Sequence, residues 1–369
     1  MNFAILSKIL ALSNQGLCAA IKSLGSIESI FDSHPDDLGH WFSQKDIFQI
    51  QRWRKSTSFQ KEYARLEAIL SVEGASQLVL GDKDYPPTLA EIPDPPAVLF
   101  VVGDASTLCF PQIAIVGSRN CTVQGRRIAQ DFAAELALMG FCITSGLALG
   151  IDTAAHQGAL KAGGKTCAVM GAGLDVIYPA RNKALSREIV ETSGALVTEF
   201  LPGSPPQAWH FPQRNRIVTG LSLAVLVIEA SERSGSLISA RLAVEQGREV
   251  FAVPGSPMSP VSAGCNHLIR EGAILVTSPD HMVDHLQPMF EFQSQAQGFQ
   301  ASKVPDKDTT AVYSDEARWL MEQMGFEPIS VDELCVLCER DSSEITTILA
   351  ELELEGKVVQ TAVGYQRCV

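Results

Sequence analysis

No apolar run in this 369-residue chain approaches the roughly 20 residues that a membrane-crossing helix needs, and Lys8 interrupts the N-terminal stretch from Phe3 to Leu12. That stretch also lacks a basic leader and a small-residue cleavage site. It reads as an amphipathic helix, and the chain is expected to be cytoplasmic, with no membrane partner. Nine cysteines, an odd number scattered without framework spacing, exclude a disulfide scaffold. Cys335 and Cys338 form a C-x-x-C with no second pair to complete a zinc tetrahedron, so core packing on a helix face is expected and no metal. The chain lacks G-x-G-x-x-G, H-E-x-x-H and G-x-S-x-G as well, which argues against a nicotinamide cofactor and against the familiar hydrolases. No cofactor and no catalytic residue are expected, and the chain is read as a non-enzyme. Positive charge is scarce: 29 Lys and Arg stand against 42 Asp and Glu, for a net charge of −13. Spread evenly, that balance would repel a polyanion. It is uneven. Residues 105–277 hold 14 basic against 12 acidic side chains, whereas residues 278–369 hold 6 against 17.

The apolar pattern divides the chain. Residues 1–75 place apolar side chains at helical spacing (Ile5, Ile9, Leu12; Leu17, Ile21, Leu24; Ile47, Ile50, Trp53), which predicts a small SAM-like or helix-hairpin-helix-like domain. A proline-rich joint follows at Tyr85-Pro86-Pro87 and Ile92-Pro93-Asp94-Pro95-Pro96. Over residues 76–286, short continuous apolar runs alternate with helical segments, and most runs end in glycine or serine. This predicts an α/β fold, an extended Rossmann-like, doubly wound parallel sheet covered on both faces. Its strands are expected at 97–102, 113–116, 141–144, 166–170, 195–198, 223–228, 250–253 and 274–276. Residues 287–308 lack periodicity and read as a linker. Residues 309–369 suggest three helices and a terminal hairpin, a winged helix. The third of these helices, from Ser342 to Glu355, carries Glu344, Glu351, Glu353 and Glu355 and no Lys or Arg, so it is expected to contact protein rather than enter a DNA groove.

The loops after the strands gather at one sheet edge, where ligands of such folds bind. The first reads Gly117-Ser118-Arg119-Asn120, followed by a helix start at Gly125-Arg126-Arg127. Backbone amides, a helix N-terminus and a forked guanidinium together make a phosphate site. Three more small-residue turns join it, at Ser145-Gly146, Gly171-Ala172-Gly173 and Ser234-Gly235-Ser236, with Arg181, Lys183, Arg214, Arg216 and Arg233 around them. Several such turns interleaved with arginines point to repeated phosphates or one large anion. Tyr178, Trp209, His210 and Phe211 are candidates for base stacking, with packing as the commoner role of each. The Walker-like stretch from Gly158 to Thr166 closes a helix and enters a strand, the reverse of a P-loop, and reads as a helix C-terminal turn. Asp152 and His156, four residues apart, read as a local helix contact.

Taken in order, Val116-Gly117-Ser118-Arg119, the run from Ser145 to Asp152, Gly173 to Pro179, Phe211-Pro212-Gln213-Arg214-Asn215-Arg216-Ile217, Ser234 to Leu237 and Val253-Pro254-Gly255 resemble the DNA-processing protein A (DprA/Smf) family. The likeness runs from about Gly81 to Thr277. It implies a dimeric single-stranded DNA-binding recombination mediator that protects incoming DNA and helps load the RecA recombinase in natural transformation. The family's glycine-serine-arginine turn falls on Gly117, Ser118 and Arg119. Some relatives place a lysine just after the tyrosine-proline pair; here Ala180 stands there, so Arg181 or Lys183 is expected to substitute. The alternative is a nucleotide-processing enzyme of the phosphoribohydrolase type on the same kind of fold. Its proline-glycine-glycine loop is missing at Glu232-Arg233-Ser234-Gly235-Ser236.

Overall fold

The computed structural model describes residues 3–53, 56–72 and 74–286, and then 319–321, 323–324, 328–338, 340–354, 357–361 and 364–367. The expected linker at 287–308 and the first part of the helix expected from Val312 lie outside the described residues. The chain forms two compact units, Met1–Lys303 and Val304–Val369.

The first unit opens with six helices, α1 (Phe3–Ile9), α2 (Asn14–Leu24), α3 (Ile27–Asp32), α4 (Pro35–Leu38), α5 (Gln44–Arg52) and α6 (Thr57–Val72). Their turns follow local chemistry: Ser13, Ser26 and Ser43 each accept a backbone N–H at a helix start, and Gly25 takes the left-handed φ of 87° that ends α2. Buried side chains of these helices, such as Leu17, Ile21 and Ile30, belong to the same core as Val98, Leu99 and Val169 of the sheet. Asn14 ties the two together, donating to Asp94 Oδ1 and to Pro95 O, both at 2.8 Å, and accepting the Ala97 N–H at 2.8 Å.

Next come β1 (Ser76–Val79), the short α7 (Pro87–Ala90), β2 (Val98–Gly103), β3 (Gln112–Gly117), α8 (Val123–Leu138), β4 (Cys142–Ser145), α9 (Ile151–Lys161), β5 (Thr166–Val169), α10 (Lys183–Glu191), β6 (Ala195–Thr198), α11 (His210–Gly220), β7 (Ala224–Ile228), α12 (Ser236–Glu245), β8 (Glu249–Ala252), α13 (Ala263–Arg270) and β9 (Ile274–Leu275). They build one nine-stranded sheet in the order β1-β2-β6-β5-β4-β3-β7-β8-β9. From β6 to β9 every pair is parallel. The edge corrects the all-parallel expectation: β1 runs antiparallel to β2, and β2 antiparallel to β6. The segment between β2 and β3 is only residues 104–111, too short for the crossover a parallel return requires. Strands β4 to β7 are buried at every position, as their unbroken apolar runs demand of a sheet covered on both faces.

Chain order reverses between β3 and β7: the chain moves out through β4, β5 and β6, and α11 carries it back across to β7. Open α/β sheets bind ligands at this topological switch point.

His156 of α9 is fully buried and its Nδ1 lies 2.7 Å from Thr166 Oγ1, which itself donates to Ile143 O at 2.6 Å. The histidine therefore donates from Nδ1, leaving Nε2 buried without a partner. It contacts Thr166 rather than Asp152. Burial, then the Arg214 charge, pushes its pKa down to about 3. Between that value and the ordinary 6.5 the unfolded chain binds the extra proton, so stability falls as pH drops through this window. Urea unfolding at pH 7 and pH 5 is expected to show a loss of about 2 kcal/mol from this group, absent in His156→Gln. An equal loss in the variant would exclude His156 as its source.

In the second unit, the helices Val331–Cys338 and Ser342–Leu354 pack with Leu320 and Met324 over an antiparallel hairpin of Val358–Thr361 and Gly364–Arg367. Cys335 and Cys338 lie against this core, as expected of packing residues.

Candidate nucleic-acid interface

At the switch point an open cleft of about 550 Å³ is lined by Gly117, Ser118 and Arg119 after β3, Gly146 and Ala148 after β4, Phe211, Arg214 and Asn215 of α11, and Ser234, Gly235 and Ser236 at the start of α12. A second hollow of about 510 Å³ is lined by Arg119, Asn120, Arg126, Thr153, Gln157 and Arg181. Arg119 lines both. The two hollows differ in chemistry: the second collects three exposed arginines, whereas the first is walled by small and hydroxyl residues and by the Phe211 ring.

Arg119 is exposed, and its guanidinium lies 5.5 Å from the centroid of Phe211. Phe211 in turn meets Tyr178 at 5.7 Å between ring centroids. With Tyr178 50% and Trp209 58% exposed, both rings have a face available for stacking. His210 does not: it is buried, stacked on Phe200 at 3.9 Å, with Nδ1 3.1 Å from Gly171 O.

The floor of the cleft is a hydrogen-bonded clasp around Gly146. Arg214 Nη1 donates to Gly146 O at 2.5 Å and also to Val169 O, and Asp152 Oδ2 accepts the N–H groups of Gly146 at 3.1 Å and Ala148 at 3.3 Å. A Cβ at Gly146 would press into the Arg214 guanidinium, so only glycine lets that contact form. Burial pushes the Asp152 carboxyl up, opposed by Arg214 and the two amides. Burial likewise lowers Arg214 to about 10, opposed by Asp152. Asn182 completes the loop's anchorage, donating to Leu147 O at 2.8 Å and Thr153 Oγ1 at 2.9 Å.

The expected site residues therefore separate. Gly117, Ser118, Arg119, Gly146, Ser234, Gly235 and Ser236 converge on the first cleft, and Arg181 on the second hollow. Arg214 reaches the cleft only as its floor. Ser145 lies beneath it, fully buried and donating to Ile115 O at 2.6 Å. Gly171 and Gly173 are buried turn residues, the latter donating to Ser204 O at 3.0 Å. Lys183 is exposed at the start of α10 and lines neither hollow. Arg216 is a correction: it is buried and paired with Glu199 at 2.7 Å and Asp94 at 2.9 Å, pinning α11 to the proline-rich joint. Its Nη1 has no partner but is buried, so the guanidinium is closed off from a phosphate. Asn120 and Arg126 belong to the turn and helix start read from the sequence, whereas Gln157 and Asn215 were not among the expected residues. Arg126 was within reach of sequence reasoning, because a cation in the first turn of the helix that follows a phosphate turn sits beside it.

An open, mostly parallel sheet with a glycine-lined, arginine-edged cleft at its switch point defines a protein of the Rossmann-like class. Residues 76–287 match the family model of DNA recombination-mediator protein A, and residues 304–362 that of the DprA winged helix domain. Protein Smf of Escherichia coli is 37% identical over 362 residues, which are 93% of this chain and 94% of that protein. DNA processing protein DprA of Streptococcus pneumoniae is 46% identical over 240 residues, 63% of this chain and 83% of that protein. The X-ray structure of DprA from Streptococcus pneumoniae superposes with a TM-score of 0.64 at 36% identity, covering 82% of this chain and 99% of that one. A DprA from Helicobacter pylori, described for its single-stranded DNA binding mode, gives 0.53 at 32% identity over 58% of this chain and 96% of that one. The chain belongs to the DNA recombination-mediator protein A (DprA/Smf) family, with a family winged helix at its C-terminal end. Among the described residues, no helix is long and apolar enough to cross a membrane.

Proposed function

We propose that this chain binds single-stranded DNA along the edge formed by the two hollows, with Arg119 between them, and serves as a non-enzymatic recombination mediator. In this reading it covers incoming single strands in the cytoplasm and helps load the RecA recombinase during natural transformation. The observation that carries it is the exposed cluster of Arg119, Arg126 and Arg181 beside the Phe211 and Tyr178 rings. Guanidinium groups neutralise backbone phosphates, and adjacent rings stack bases of any sequence. The DprA from Helicobacter pylori described for single-strand binding supports the assignment.

The chain acts as a homodimer in this proposal. Support comes from an open groove of about 610 Å³ between α12 and α13, where Val244 is 68% exposed beside Leu237 and Leu268. The winged helix is assigned to protein rather than DNA. Its helix Ser342–Leu354 presents Glu344, Glu351 and Glu353, and Arg340 is occupied by Glu344 and by the Trp319 ring at 4.6 Å.

Fluorescence titration of single- and double-stranded oligonucleotides at several salt concentrations tests the assignment. Expected is preference for the single strand, a steep fall of affinity with salt, and nearly unchanged binding once residues 309–369 are removed. Equal affinity for duplex would reject the single-strand reading, and a large loss in a folded truncation would reject the reading of the winged helix.

A further inference from the structure

In a fold of this type the N-terminus of the helix after the first parallel strand is the usual seat of a ligand phosphate. Here that seat is filled from within. Glu229, the first residue after β7, has a φ of 51°, a left-handed backbone that directs its side chain back over the start of α8. Its carboxylate accepts the Thr122 N–H at 2.8 Å and the Thr122 hydroxyl, while Thr122 Oγ1 caps α8 by accepting the Gly125 N–H at 2.9 Å. A Cβ at Gly125 would overlap the Glu229 carboxyl group, which shows how closely the charge lies over the first turn of the helix. The same residue's carbonyl accepts the Ser118 N–H at 2.7 Å. Glu229 thus holds residues 118 and 122, the two ends of the turn that carries Arg119.

We propose that Glu229 is a specificity-determining residue: its carboxylate occupies the phosphate seat of α8, so the site rejects free nucleoside monophosphates and takes a polynucleotide backbone on the arginines outside the seat. This rests on the single-strand reading given above. An internal anion already satisfies the amide and the positive end of the helix, and it repels a second anion at the same place. The distribution of cations agrees: Arg119, Arg126 and Arg181 line the neighbouring hollow, whose lining includes neither Thr122 nor Glu229.

Glu229→Gly is the discriminating variant, because glycine adopts the left-handed backbone without strain while emptying the seat. With AMP as the probe in isothermal titration, the wild type is expected to bind negligibly and Glu229→Gly to gain about tenfold or more in affinity. A purely structural glutamate would give only loss, never this gain. A folded Glu229→Gly that binds AMP no better than the wild type overturns the proposal, as does a wild type that already binds AMP as well as the variant. If Glu229→Gly fails to fold, Glu229→Gln decides, since it keeps the shape and drops the charge. A gain of about threefold is expected there, and none would overturn the proposal equally. A dT20 titration of the wild type runs alongside. Failure to bind dT20 would reject the single-strand reading and the polynucleotide half of this proposal, while the AMP comparison still decides whether Glu229 closes the seat.

Discussion

Replacing Arg119 by alanine is expected to weaken single-strand binding about tenfold at physiological salt and to lower the slope of log affinity against log salt by about one unit. The effect should be large for one surface residue because Arg119 lines both hollows, so a strand passing from one to the other must cross it. Its cation also lies against Phe211, so its removal frees that ring from the contact that orients it. Among the described residues no carboxylate salt-bridges Arg119, so the fold loses little and thermal stability should stay within about 0.5 kcal/mol of the wild type. Fluorescence anisotropy across a salt series reads both quantities. Unchanged affinity and slope would remove Arg119 from the interface.

Arg214→Ala is expected to act through the fold. It strips Gly146 O and Val169 O of their donor and leaves Asp152 buried without its counter-charge. Leaving two buried carbonyls without this donor, and a buried carboxylate without the nearby charge that opposes its desolvation, costs about 3–5 kcal/mol. Urea unfolding should show that loss, and Asp152→Asn in the same chain should recover part of it by removing the stranded charge. Single-strand affinity should fall as well, because the loop from Gly146 to Gly150 forms part of the cleft wall. A loss below about 1 kcal/mol would mean that the clasp does not hold the loop. The two arginines, 95 positions apart in the chain, therefore separate by readout: one moves affinity and salt slope, the other moves stability first.

Much of the architecture was legible because its cause is local. Unbroken apolar runs between glycine-bounded helices can only be strands covered on both faces, and eight of them fall within a residue or two of their expected places. β1 escaped because it is four residues long, lies at the edge, and buries Leu78 alone. The antiparallel edge escaped for a different reason: strand direction depends on whether a connection can hold a crossover, and apolar pattern does not report that. The cleft-lining turn at Gly117-Ser118-Arg119 was legible from residue types and from its place between a strand and a helix. Arg214 and Arg216, two positions apart on α11, were not separable from Arg119 by any local rule.

By itself, then, the sequence determined a doubly wound core, the strand-to-helix turn at its switch point, and a middle segment free of the acidic excess of both ends. The tertiary structure decided which arginines remain available there. Arg214 is taken by two backbone carbonyls, Arg216 by Glu199 and Asp94, and Glu229 reaches across from β7 to Thr122 at the start of α8. A formal charge belongs to a residue, but its capacity to bind a ligand depends on whether solvent or a buried partner already surrounds it, and that is set by contacts between distant parts of the chain.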